Sequence, residues 1–127
     1  MYARGVFNSD SSSPTMVNVI ATASGGSLHN RGVWNDSSSP TIQNSTISAS
    51  GASSSGIYNE ATGGSYTVQV DNCQITGGTN TIRNDAEFTT LVGASLLDGG
   101  TVNANGGTVT CAGVYDEAYT FYASTCP

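Results

Sequence analysis

The sequence predicts an all-β chain folded as a right-handed parallel β-helix, a solenoid of about five coils closed by a disulfide-linked aromatic C-terminal cap. Three observations carry this. One motif recurs four times, from Gly5 (GVFNSDSSSPTMVNVIATASGG), Gly32 (GVWNDSSSPTIQNSTISASG), Gly56 (GIYNEATGGSYTVQVDNCQITGG) and Thr81 (TIRNDAEFTTLVGASLLDGG). Its asparagines Asn8, Asn35, Asn59 and Asn84 stand 27, 24 and 25 residues apart, a period that belongs to stacked architectures in which each unit buries its apolar edge on the next. The apolar residues alternate over short runs and lack the three-and-four rhythm of a helix. The composition then shifts abruptly at the C-terminus.

Each coil offers three apolar positions. Val6, Val33, Ile57 and Ile82 mark the first; Met16, Ile42, Val70 and Leu91 the second; Ala21, Ile47, Ile75 and Leu96 the third. Three short strands per coil follow, each adding to its own column at a rise of ~4.8 Å, the spacing of hydrogen-bonded strands. Leucine-rich repeats share the period but need an L-x-x-L-x-L pattern that is missing, and left-handed hexapeptide coils need ~18 residues per turn.

In chain order, residues 1–4 are a short lead-in. Coils one and two superimpose down to the turns Ser11-Ser12-Ser13-Pro14 and Ser37-Ser38-Ser39-Pro40, where proline fixes the entry to the second strand without breaking the ladder. Coil three replaces the proline with Gly63-Gly64-Ser65, and coil four shortens that turn and brings in Glu87 and Phe88. A fifth coil begins at Thr101, with Val109 in its second strand and Cys111 at its corner. Residues 1–110 are therefore assigned to the coils and 111–127 to the cap.

Two asparagine columns accompany the strands. Asn8, Asn35, Asn59 and Asn84 share the parity of the inward valines, and Asn18, Asn44 and Asn72 close the second strand, where coil four has Gly93. Asparagine and glycine tolerate left-handed backbone, so both columns read as corners. Their amides can also bond to one another up the stack, as in cross-β ladders.

The ending CAGVYDEAYTFYASTCP places Tyr115, Tyr119, Phe121 and Tyr122 within the last 13 residues. A solenoid end exposes strand edges and core, so it needs a cover. A Cys111–Cys126 bridge would close a loop of about 15 residues, worth ~3 kcal/mol in the chain-entropy model, and implies an oxidising compartment. Cys73 stands apart. The first coil has no such device, which predicts end-to-end or lateral self-association into a homo-oligomer, or continuation of the solenoid upstream.

Only 9% of the 127 residues are charged, with three arginines, no lysine and nine acids, for a net charge of −6. Nucleic acid and anionic membrane need clustered cations and are poor partners. No apolar run approaches the ~20 residues that cross a bilayer. No apolar h-region follows Met1, and the start lies four residues before a repeat, which fits the C-terminal part of a longer secreted solenoid.

Two outward columns could carry function. Phe7, Trp34, Tyr58 and Arg83 occupy one position per coil, opposite in parity to the inward valines. Rings stacked at ~4.8 Å would make a flat platform for sugar rings or for a partner, with Arg83 ending it by cation–π contact; aromatic ladders also simply stabilise sheets. Beside it run Asp36, Glu60 and Asp85, which are either solvated turn acids or ligands of a cation, Ca²⁺ being the one such oxygen-rich turns would hold. Nucleophilic catalysis lacks a base, because His29 is the one histidine and no lysine is present. A single histidine in the whole chain also argues against a metal site built on that residue type.

The segments GVWNDSSSPTIQNSTISASG and VTCAGVYDEAYTFYASTCP resemble the right-handed parallel β-helix repeat proteins that bacteria secrete or display, the pectate-lyase-like superfamily. The resemblance covers nearly the whole chain, as a C-terminal segment, and implies fold rather than activity. Active members cleave acidic polysaccharides with Ca²⁺-holding aspartates and an Arg or Lys base. Here only Arg83 near Asp85 approaches that arrangement, and no catalytic residue carries over. The superfamily also contains trimeric phage tailspikes and adhesins. The expectation is a non-enzymatic extracellular or cell-surface module, structural or adhesive, that self-associates or contacts glycans through its aromatic face. The alternative is a fragment of a carbohydrate-active enzyme, a polysaccharide lyase or hydrolase.

Overall fold

The computed structural model describes residues 1–127 as fourteen β-strands without a helix. The first coil contains β1 (Tyr2–Asn8), β2 (Thr15–Val17) and β3 (Ile20–Ala23). The second contains β4 (His29–Asp36), β5 (Thr41–Gln43) and β6 (Thr46–Ala49). The third holds β7 (Ser54–Glu60), β8 (Tyr66–Asp71) and the first half of β9 (Gln74–Asn84), a strand that bends through the corner into the next coil. β10 (Phe88–Gly93) and β11 (Leu96–Asn103) repeat that path, and β12 (Thr108–Ala112) and β13 (Val114–Asp116) complete a fifth rung.

All rungs pair in parallel. The path β1-β4-β7-β9-β11 forms one face, β2-β5-β8-β10-β12 a second, and β3-β6-β9-β11-β13 a third, so five rungs per face make a β-solenoid of about four turns. Coil pairing continues to Asp116, and the last strand, β14 (Phe121–Tyr122), folds back antiparallel on β13.

Sixteen buried residues form one continuous apolar core. The first column is as read from the sequence, Val6–Val33–Ile57–Ile82, with Val102 added. The other two slip by one residue in coil four. Val92 continues Met16–Ile42–Val70, while Leu91 is 41% exposed, and Leu97 rather than Leu96 continues Ala21–Ile47–Ile75. The cause lies at the corner. Asn18, Asn44 and Asn72 have left-handed backbone (φ 58, 50 and 50), and the residue that takes this conformation in coil four is Ala94 (φ 43), one place beyond Gly93. In the fifth coil it is Gly113 (φ 65), so Cys111 stands in the core column opposite Val92 and not at the corner.

The two asparagine columns differ in kind. Asn8, Asn35, Asn59 and Asn84 are not corners, since none has positive φ; they point into the solenoid from extended backbone and are buried. Asn8 Nδ2 donates to Asn35 Oδ1 at 2.8 Å, Asn35 to Asn59 at 2.7 Å and Asn59 to Asn84 at 2.7 Å. Asn84 Nδ2 ends the ladder on the Thr108 carbonyl at 2.8 Å. Asn35, Asn59 and Asn84 thus each use both a side-chain donor and the acceptor, the condition on which polar groups tolerate burial. In the corner column, Asn72 Nδ2 donates to Asn44 Oδ1 at 2.8 Å, while Asn18 shares the backbone conformation.

The Cys111–Cys126 disulfide forms, with a sequence separation of 15, and Cys73 is free and buried. Cys73 occupies the position after the corner, where the flanking coils have Ser45 and Ser95, and its backbone N–H donates to Ser95 Oγ at 3.0 Å. The cap covers the core less fully than the sequence suggests. Tyr122 and Cys126 pack on it, but Tyr115, Tyr119 and Phe121 remain exposed as an outer cluster with Tyr115 5.2 Å from Phe121 and 6.3 Å from Tyr119. Phe88, fully inside and stacked on Tyr66, fills the last coils instead.

Candidate functional site

The outward surface of β1, β4 and β7 carries the aromatic column, and its register is the expected one: Phe7 opposite Trp34, Trp34 opposite Tyr58, Tyr58 opposite Arg83. The strands bend at Gly5, Gly32 and Gly56, where the face meets the next one. A Cβ at Gly56 would stand 2.6 Å from Ile75 Cγ2 and 2.7 Å from the Thr81 carbonyl oxygen, so only glycine fits. The bend has a consequence for the residues before it. Strict alternation would turn Arg4 and Arg31 away from Phe7 and Trp34; the bend uses up one position and brings them to the same surface.

The result is an alternation of rings and guanidinium groups. Arg4 Cζ lies 4.8 Å from the Phe7 ring centre and 3.8 Å from that of Trp34. Arg31 Cζ lies 4.0 Å from Trp34 and 3.7 Å from Tyr58, and Arg83 is 5.2 Å from Tyr58. All three arginines of the chain are in this one surface. The rings do not make the flat platform expected from the sequence: Phe7 and Trp34 are tilted by 51°, and Trp34 and Tyr58 meet edge to face at 80° with centres 6.4 Å apart. At a rung spacing of ~4.8 Å, guanidinium groups fill the spaces a parallel stack would need. Each desolvated contact of this kind contributes up to about 2 kcal/mol.

Burial shapes the electrostatics of the column. Arg31 is 7% exposed and Tyr58 8%. Desolvation pushes the Arg31 guanidinium below its ordinary value, against the opposing pull of Tyr58 and Glu60, and raises the Tyr58 phenol, with Glu60 adding to the rise. The chain's one salt bridge is here, Arg31 Nη1 to Glu60 Oε1, long at 3.9 Å. Trp34 Nε1 and Arg83 Nε are buried without a hydrogen-bond partner. Polar groups left in this state destabilise a fold by about 1–3 kcal/mol.

Arg4 and Arg31 are the residues of this surface that alternation alone hides. Their signal is the repeated tetrapeptide Arg-Gly-Val-aromatic at residues 4–7 and 31–34. His29 lies at the margin of the same surface, stacked on Tyr2 with ring centres 5.5 Å apart.

The acids Asp36, Glu60 and Asp85 follow the asparagine ladder along the next turn and line one depression of about 170 Å³. Each has a neighbour: Glu60 has Arg31, Asp36 Oδ1 accepts from Ser37 Oγ at 3.1 Å, and Asp85 Oδ1 accepts from Asn105 Nδ2 at 2.9 Å. No group of three or more His, Cys, Asp or Glu side chains converges as a metal site.

Compared with known proteins, the chain matches no family model, no curated protein and no solved structure.

Proposed function

We propose that the chain is a non-enzymatic structural and adhesive solenoid module that works outside the cell or at its surface and contacts a glycan partner through the face of β1, β4, β7 and the second half of β9. The observation that carries this reading is the concentration of every arginine of a net-acidic chain on that face, interleaved with Phe7, Trp34 and Tyr58. Such a surface recognises a partner by charge and by the exposed edges of its rings. The buried asparagine ladder supports a rigid, static scaffold, and the disulfide supports maturation in an oxidising compartment.

A second reading, the fragment of a carbohydrate-active enzyme, is favoured by one feature, the depression that Asp36, Glu60 and Asp85 share. Paired carboxylates across a groove are what glycoside hydrolysis uses. Incubation with a panel of neutral and acidic polysaccharides separates the two readings, scoring retention by affinity electrophoresis and cleavage by reducing-end release. Retention without cleavage is the expected result. Cleavage that disappears in Glu60→Gln or Asp85→Asn would establish the enzyme reading in its place.

A further inference from the structure

The arginine column and the aromatic column both break in the third and fourth coils, and a cavity of about 80 Å³ opens at the break. In the register of the sheet, Arg4 is followed by Arg31 and then by Ser55, and the ring column passes from Tyr58 to Arg83. The short Ser55 leaves the space that a third arginine would fill. Arg31 and Arg83 both line it, and the Tyr58 ring that they share lies between them in the wall. Ser53, Ser55 and Thr79 add hydroxyl groups, and His29 adds an imidazole.

What lines this cavity is almost entirely able to donate, and no carboxylate reaches it. That is unusual in a chain with nine acids and three arginines. Arg83 has no carboxylate within salt-bridge distance, and its buried Nε has no partner. Thr79 Oγ1 already accepts from the Ser54 N–H at 3.2 Å, which leaves its hydroxyl hydrogen to donate elsewhere. The volume holds a few water-sized atoms, the size of one oxyanion group and too small for a ring.

We infer that this cavity is an oxyanion site, which takes the carboxylate or sulfate of a ligand lying along the column. Two guanidinium groups supply charge-assisted hydrogen bonds to such a group, and the hydroxyls complete its shell. The inference rests on the glycan reading and sharpens it, because it makes the preferred glycan an acidic one.

Trp34 is the chain's single tryptophan, and Arg31 lies 4.0 Å from its ring, so its fluorescence reports on the site. The test titrates the protein with sodium sulfate, with a hexuronate oligosaccharide, with a sulfated oligosaccharide and with a neutral one at constant ionic strength. Saturable changes with at least one oxyanion probe and none with the neutral sugar are expected. Arg83→Ala should weaken that binding by about tenfold to a hundredfold, the range for one charge-assisted hydrogen-bonding group. Ser55→Asp, which places a carboxylate in the cavity, should abolish it while circular dichroism stays that of the wild type. The uronate and sulfated arms identify which oxyanion the cavity prefers. Binding of free sulfate without any oligosaccharide would uphold the site and overturn the glycan reading. Oligosaccharide binding unaffected by either substitution would do the reverse, and no saturable response to any oxyanion would overturn the site.

Discussion

Asn35 donates its side-chain amide to Asn59 at 2.7 Å, and neither residue has any solvent exposure. The pair is the middle of a ladder in which Asn8, Asn35 and Asn59 each donate to the asparagine of the next coil. Asn35→Ala leaves Asn8 Nδ2 without its acceptor and Asn59 Oδ1 without its donor. The expected loss is about 2–4 kcal/mol, one desolvation penalty for each orphaned group, read as a lower urea midpoint at unchanged slope. Asn72→Gly in the exposed corner column keeps the left-handed backbone and should shift stability by less than about 1 kcal/mol. Equal losses at the two sites would contradict the distinction between interior ladder and corner.

Gly56 is the third-coil counterpart of Gly5 and Gly32, the glycines that follow Arg4 and Arg31. Gly56→Ala forces a methyl against Ile75 Cγ2 and the Thr81 carbonyl, and about 1–3 kcal/mol of destabilisation is expected from such overpacking. Thermal denaturation checks it. An unchanged midpoint would mean that the two faces do not approach as closely as described.

The cap is organised by one carboxylate. Asp116 Oδ1 accepts from the backbone N–H groups of Thr120 at 2.8 Å and Ala118 at 2.9 Å, and Oδ2 accepts from the Tyr122 hydroxyl at 3.0 Å. The Thr120 bond is the main reason why its pKa falls below the ordinary 3.8. A carboxyl group whose pKa is lowered by folding stabilises the fold above its unfolded value, and that contribution is lost as pH falls through the folded value. The cap should therefore loosen at pH below 3.8, seen as faster amide exchange at residues 116–122, and Asp116→Asn should show no such acid step. The same acid step in Asp116→Asn would assign the loosening to another group.

The first coil presents unpaired edges. β1 and β2 end their sheet paths, β3 pairs only with β6, and Ile20 is 82% exposed with Val17 44%. Light scattering should show association that grows with concentration, and a Val17→Lys/Ile20→Lys variant should suppress it, as charged edges do in natural sheets. Wild type that stays monomeric at high concentration would contradict an assembly role for this end.

Much of this architecture was legible in the residues. The period and the three apolar positions lead to the solenoid, and the first core column, the disulfide and the ring register follow directly. Coil four escaped because its corner has no asparagine. In Leu91-Val92 and Leu96-Leu97 either residue could face inward, and without Asn at the corner nothing local decides; the left-handed residue is Ala94, which propensity disfavours. The arginines escaped for a different reason. Period-two reasoning assigns Arg31 and Trp34 to opposite faces, and only the close packing at Gly32, a three-dimensional fact, reunites them. The exposure of Tyr119 and Phe121 is likewise set by how Tyr122 and the disulfide fill the end of the core.

The most direct measurement is affinity electrophoresis in gels containing an acidic polysaccharide, comparing wild type with Arg4→Glu/Phe7→Ser. Both positions are exposed on the column's outer surface, so the fold should survive, as checked by circular dichroism. The account predicts that wild type is retarded by the acidic polysaccharide and that the equally folded variant runs free. Retardation of the variant equal to that of wild type, or free migration of both, would contradict the assignment of this face as the contact surface.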